Sequence, residues 1–174
     1  MPGNVPGRSA LDEGVTDLQV DAVADPRSFD DVFASARAPM VRVAFLIVGS
    51  QAVAEEIVQD AFAGLYTRFD AVENAVAYVR TAVVRGAVSW KKRRAMETDR
   101  LARVPEPGAT GIGEIDTTWD ALRALRPERR AVLVLRFYDD LSHAQIAEIL
   151  GCPVATVRTR LHRGLSDLRK ELER

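Results

Sequence analysis

Gly151-Cys152-Pro153 limits how this chain can fold more than any other feature, because it joins two helix-period stretches by nothing longer than a tight turn. Before it, Ser142 precedes Ala144, Ile146, Ala147, Ile149 and Leu150, the pattern of a short capped helix. Gly151 can take the left-handed conformation that ends such a helix, and Pro153 suits the first position of the next one. Val154, Val157, Leu161, Leu165 and Leu168 then recur at steps of three and four, predicting one apolar stripe along a helix from Val154 to Leu172. With Val157 at zero and 100° per residue, that stripe spans about 0–80°, while His162, Thr159, Arg163 and Thr156 fall at about 140–260°. Arg158 and Arg160 occupy the flanks, Arg158 close to the buried edge. A short braced helix, a tight turn and an exposed helix bearing Arg, Thr and His make a helix-turn-helix. Such a helix can offer Arg to the O6 and N7 edge of guanine and further Arg to phosphates.

The rest of the chain is also helical in period, and no alternation of period two lasts long enough to require a strand. Ser28, followed by Asp30 and Asp31, predicts a helix N-terminus, and Phe29, Val32, Phe33 and Ala36 continue it. Pro39 should kink or restart that helix before it runs through Val43, Ala44 and Ile47 to a stop at Gly49. From Gln51 to Phe69 a second helix is expected to bury Val53, Ile57, Val58, Ala61, Phe62 and Leu65. Asn74 should cap a third, Ala75 to Arg94, with Val76, Val79, Val83 and Val88 inward. Trp119, Leu122 and Leu125 mark a short helix. Pro127, Ala131, Val132 and Leu135 mark another that ends near Tyr138. The fold class expected is all-α, with two small helical domains and a linker. The units are a mobile acidic tail at residues 1–28, a bundle at 29–96, a Pro/Gly linker at 97–116 and a helix-turn-helix domain at 117–174. Within the tail, Leu18 to Val23 could form one short helical turn.

The net charge of −1, from 24 basic and 25 acidic residues, conceals a segregation. Residues 1–28 carry −3 and residues 29–74 carry −4, whereas residues 75–104 carry +6, residues 105–121 carry −4 and residues 122–174 carry +4. Two basic blocks suit two contacts to a polyanion, and the acidic surface upstream calls for a different, protein partner. A single cysteine, Cys152, permits no internal disulfide, and with only two histidines the usual structural zinc sites are out of reach. The longest apolar run, Val43 to Val48, is far too short to span a bilayer, and no secretory signal opens the chain. No paired carboxylates, triad spacing or phosphate-cradling glycine loop points to catalysis. A soluble cytoplasmic binding protein without enzyme activity, metal or cofactor is expected.

LSHAQIAEILGCPVATVRTRLHRGLSDLRKEL resembles the promoter-binding fourth domain of bacterial extracytoplasmic-function (ECF) sigma factors, and ALRALRPERRAVLVLRFYDDLS its supporting helices. AEEIVQDAFAGLYTRFD resembles the second domain, and AYVRTAVVRGAVSWKKRR the promoter-melting helix. The similarity covers residues 29–174 apart from the linker, and the chain resembles the actinobacterial SigE-like subfamily. It implies that Glu56, Gln59, Asp60 and Phe62 dock on the coiled coil of the largest subunit of core RNA polymerase. It also implies that Arg80, Arg85, Trp90, Lys91, Lys92, Arg93 and Arg94 face the −10 element, with the loop from Asp70 to Ala75 capturing a flipped base. Trp90 fits either a stacking surface or a core position. Arg158, Thr159, His162 and Arg163, with Thr156 beside them, would read the −35 element, and Arg160 would hold phosphate. The linker would thread toward the RNA exit path, and an anti-sigma partner is a further expectation. Arg85 departs from the Asn common in relatives, which puts the −10 preference in doubt more than the docking.

Two other readings remain open at this point. A conventional helix-turn-helix regulator would bind duplex DNA alone, usually as a two-fold dimer. A helical protein-interaction module would carry its basic faces for solubility only.

Overall fold

The computed structural model describes residues 28–100 and 117–173, and these form seven α-helices and a single 3₁₀ turn with no strand. The expectations for the N-terminal tail, and for the linker beyond Arg100, lie outside the described residues.

Helix α1 spans Phe29–Val48. The Ser28 hydroxyl accepts the Asp31 backbone N–H at 3.2 Å, and Gly49, at φ 84°, closes the far end. The restart expected at Pro39 does not occur, for α1 runs through it unbroken. Pro39 and Ser35, whose carbonyl loses its helical donor, both lie on the exposed face, where water can replace the missing bond. On the opposite face Val32, Ala36, Met40, Val43 and Ile47 are buried, so packing carries the helix on past the missing hydrogen bond.

Helix α2, Gln51–Tyr66, ends earlier than the apolar spacing suggests, and the chain tightens into the 3₁₀ turn Phe69–Ala71. Its buried side chains are Ala54, Val58, Ala61, Phe62 and Leu65, while Val53 and Ile57 sit half-buried at its margin. Asn74 caps α3, its side-chain oxygen accepting the Ala77 N–H at 2.9 Å. Helix α3 spans Ala75–Arg100, so the boundary expected between residues 96 and 97 falls inside a helix. Val79, Val83, Val84 and Ala87 on α3 are wholly buried against α1 and α2. Valine is a mediocre helix former. This bundle therefore depends on burial, roughly 1.5–3 kcal/mol for each large apolar side chain removed from water, rather than on local propensity.

The second group comprises α4 (Thr117–Ala124), α5 (Pro127–Phe137), α6 (His143–Leu150) and α7 (Val154–Leu172). Ser142 and Gln145 form a reciprocal capping box at the start of α6: the Ser142 hydroxyl accepts the Gln145 N–H at 3.3 Å, and the Ser142 N–H donates to Gln145 Oε1 at 2.9 Å. Gly151 ends α6 at φ 61°, the left-handed conformation the turn requires.

The apolar stripe expected on α7 is displaced. Val157 and Gly164 are its buried residues, Leu161 and Leu168 are half-buried, and Leu165 is exposed. Glycine explains the shift. A Cβ at Gly164 would stand 3.3 Å from two carbons of Leu133, so α5 packs directly onto the α7 backbone at this position. Arg129 of α5 forms an ion pair with Asp167 on the same side. The buried sector thus turns away from Leu165 and toward Arg160, Gly164 and Asp167.

The two groups of helices share one continuous buried cluster. Phe45 of α1 stacks on Trp119 of α4, ring centroids 5.0 Å apart and planes within 8°. Arg130 of α5 is completely buried, its Nε donates to the Leu46 carbonyl at 2.5 Å, and its guanidinium lies 5.0 Å over the Trp119 ring.

Candidate nucleic-acid interface

The rotation of the buried sector on α7 determines which side chains it presents. Arg158, Thr159, His162 and Arg163 are exposed, and Thr156 is half-buried. Arg158, placed near the buried edge by the sequence spacing, is fully among them because the buried sector has moved away from it. Thr159 donates its hydroxyl to the Ala155 carbonyl at 3.0 Å, leaving its methyl group outward. Arg160 is turned back: its Nη1 lies 3.6 Å from Cys152 Sγ in the turn, and its charge acts on Glu128 of α5. The α6–turn–α7 unit therefore exposes Arg158, Thr159, His162 and Arg163 on one helix face, the arrangement that a major groove can accept.

Helix α3 presents its cations differently. Arg80 lies 2.9 Å from Asp139, and Lys92 lies 2.9 Å from Glu128. Arg85 donates Nε to the Ile149 carbonyl at 2.7 Å and Nη2 to the Glu148 carbonyl at 3.2 Å. Arg94 sits 6.0 Å over the face of Trp90, which is half-buried, so this indole serves both as part of the packing and as an accessible surface. Lys91 is half-buried and Arg93 exposed. Burial pushes the Asp139 carboxyl above the ordinary carboxylate range, and the Arg80 charge only partly offsets this. Burial also acts upward on Glu128. There the hydrogen bond from Lys92, its own backbone N–H and the charges of Lys92 and Arg160 prevail, leaving it below its ordinary value.

On α2, Glu56, Gln59 and Asp60 share one exposed face. Phe62 does not join them. It is buried, edge-on to Phe33 at 4.9 Å and to Phe29 at 6.2 Å, because its position falls on the side of α2 that covers α1. Glu56 and Asp60 instead line a cleft of about 310 Å³ with Ile57, Trp90 and Arg93, where the acidic face of α2 meets the basic face of α3. In the expected base-capturing segment, Asp70, Ala71, Glu73 and Asn74 are exposed around the 3₁₀ turn. Sequence reading passed over Arg130, Glu128 and Asp139. No motif marks them, since their significance lies in which helix they face.

A family model described as sigma-70, region 4, matches residues 116–168. Over 151 residues the chain is 30% identical to an RNA polymerase sigma-E factor of Streptomyces coelicolor, covering 83% of this chain and 85% of that protein. It is 26% identical to the ECF RNA polymerase sigma factor SigW of Bacillus subtilis, across 85% of this chain and 90% of the relative. The chain belongs to the ECF RNA polymerase sigma factors. The sigma factor's fold is shared with a solved structure of the sigma factor RpoE from Bartonella quintana, captured with the anti-sigma factor NepR. The TM-score is 0.65 at 21% identity, covering 83% of this chain and 96% of the other. Matches of this breadth span both groups of helices, which a conventional helix-turn-helix regulator would not do. Among the described residues of the sigma factor, no helix is long and apolar enough to cross a membrane.

Proposed function

We infer that this sigma factor binds core RNA polymerase through α2, helps open and hold the −10 region with α3, and grips the −35 element with α7. The observation that carries this reading is the exposed set Arg158, Thr159, His162 and Arg163 on the second helix of a helix-turn-helix in a chain of sigma-factor ancestry. Arginine in the major groove gives base readout, whereas the cations of α3 suit the phosphates of a strand whose bases are unstacked nearby. Glu56, Gln59 and Asp60 offer an acidic, hydrogen-bonding face to the largest polymerase subunit. The polymerase and −10 unit runs from residue 29 to the end of α3, residues 117–174 form the −35 unit, and the linker joins them. The work is binding rather than catalysis and belongs in the cytoplasm, where polymerase and chromosome are. An anti-sigma protein fits as a further partner.

Paired substitutions test the assignment. Asp60→Lys should weaken capture of core polymerase at least tenfold while leaving −35 duplex binding unchanged, and Arg163→Ala should do the reverse. Equal effects of both variants on both measurements would refute the division between α2 and α7.

A further inference from the structure

The outward face of α7 is not charged throughout. At 100° per residue from Val157, Ala155 falls at about 160° and Thr159 at about 200°, the middle of the exposed sector. Arg163 is next along the same i, i+4 ridge. Ala155 and Thr159 are both exposed and lie near the start of α7, the part that such a helix lays against base edges. Ala155 has only a methyl group to offer. Thr159 has a hydroxyl, but it donates to the Ala155 carbonyl at 3.0 Å and is drawn back against the helix. Cγ2 of Thr159 is therefore what stands outward, one turn beyond the Ala155 methyl. Two carbon groups thus adjoin each other among Arg158, His162 and Arg163, which are exposed around them. Methyl groups cannot pair with phosphates or with the hydrogen-bonding edges of bases. The major groove displays one apolar group of its own, the C5-methyl of thymine, and alanine and threonine methyls are side-chain groups that meet it.

We propose that Ala155 and Thr159 form a methyl-reading site, a specificity-determining pair that selects a thymine in the upstream promoter duplex. The proposal rests on the assignment of α7 to that duplex. It divides the recognition face by chemistry. The guanidinium groups attract any duplex and bond to guanine or phosphate, whereas a methyl contact gains only against another carbon. Cytosine and uracil lack the C5-methyl and leave Ala155 and Thr159 facing water. Purines present the N7 acceptor to the groove, and the Thr159 proton that could meet it is already given to the Ala155 carbonyl. Removing one methyl group from water is worth about a factor of four in affinity. The pair therefore adjusts selectivity at one base pair, while the cations around it supply the bulk of the binding.

The test uses holoenzyme reconstituted from the full chain and core polymerase, with a promoter duplex taken from genomic DNA at a start site mapped with that holoenzyme. Each thymine of the upstream element, on either strand, is replaced singly by deoxyuridine, which removes one methyl group and keeps the base pair. Competition binding with the parent is expected to reveal one position where this exchange weakens binding about fourfold. Thr159→Ser keeps the hydroxyl without the methyl and should bind the thymine and deoxyuridine duplexes equally. Thr159→Val keeps a methyl without the hydroxyl and should retain the parent's ratio. Ala155→Gly should lower the ratio by a smaller factor. A variant that only loosens the fold weakens both duplexes alike, so the ratio separates reading from stability. The proposal is overturned by a parent with no sensitive position, by an upstream element without an A·T pair, or by a ratio that survives Thr159→Ser. Failure of the sigma-factor reading shows itself earlier, as no promoter-directed starts with the parent or an upstream element insensitive to Arg163→Ala, and it withdraws this proposal too.

Discussion

Helices α3 and α7 both carry dense positive charge, yet one is engaged and the other is not. On α3, Arg80, Arg85 and Lys92 are matched to Asp139, two α6 carbonyls and Glu128. On α7, Arg158, His162 and Arg163 face outward, and only Arg160 folds back toward the turn. Charge count alone therefore does not decide availability. What decides it is whether the fold brings an acceptor to the same face, and α5 and α6 do so for α3 but not for Arg158 and Arg163.

Gly164→Val should break that comparison most severely. The added side chain would push into Leu133 and move α7 off α5, costing on the order of 1–3 kcal/mol by overpacking. Thermal unfolding of the second half and loss of −35 duplex binding should appear together, with capture of core polymerase preserved. Next in size, Arg158→Ala should weaken −35 binding by roughly 1–3 kcal/mol and relax selectivity at one base pair, the mark of base contact. A loss spread evenly over all sequences, with a reduced salt slope, would reassign Arg158 to phosphate.

The smallest expected effect is on pH. Glu128 is depressed in the folded molecule, so its pairing with Lys92 adds stability that is fully present above the ordinary carboxylate range and lost as pH falls through its lowered value. Asp139 is raised, so its buried ionised form costs stability at neutral pH, and that cost is relieved as pH falls through its raised value. The two slopes have opposite signs, the Asp139 limb lying above its ordinary carboxylate range and the Glu128 limb below its own. Asp139→Asn should uncover the Glu128 limb, so that thermal unfolding moves steadily to lower temperature as pH falls through the lowered Glu128 value.

The helix-turn-helix was legible because its signals are local: the Ser142 cap, the Gly151 turn, Pro153 and the repeat beginning at Val157. The caps at Ser28 and Asn74 were legible for the same reason. Leu165 misled because periodicity assumes that a buried face is lined by apolar side chains, whereas α7 turns a glycine to its neighbour. Periodicity placed Phe62 in the buried stripe of α2, where it lies; its place in the docking face came from the family resemblance alone, and burial against Phe29 and Phe33 removes it from that face. Pro39 does not restart α1, since the cost of its missing N–H depends on whether water reaches the freed Ser35 carbonyl on the exposed face. Arg130 and Arg85 were beyond sequence reading as junction residues: each serves a carbonyl more than sixty positions away, and a carbonyl leaves no trace in residue identity.

Transcription from a genomic library by core RNA polymerase and the purified chain, with start sites mapped, tests the central assignment most directly. Discrete starts preceded by a shared pair of upstream elements are expected, with the upstream element of the pair losing its influence in Arg163→Ala. Polymerase that ignores the chain and initiates at no new site would contradict it.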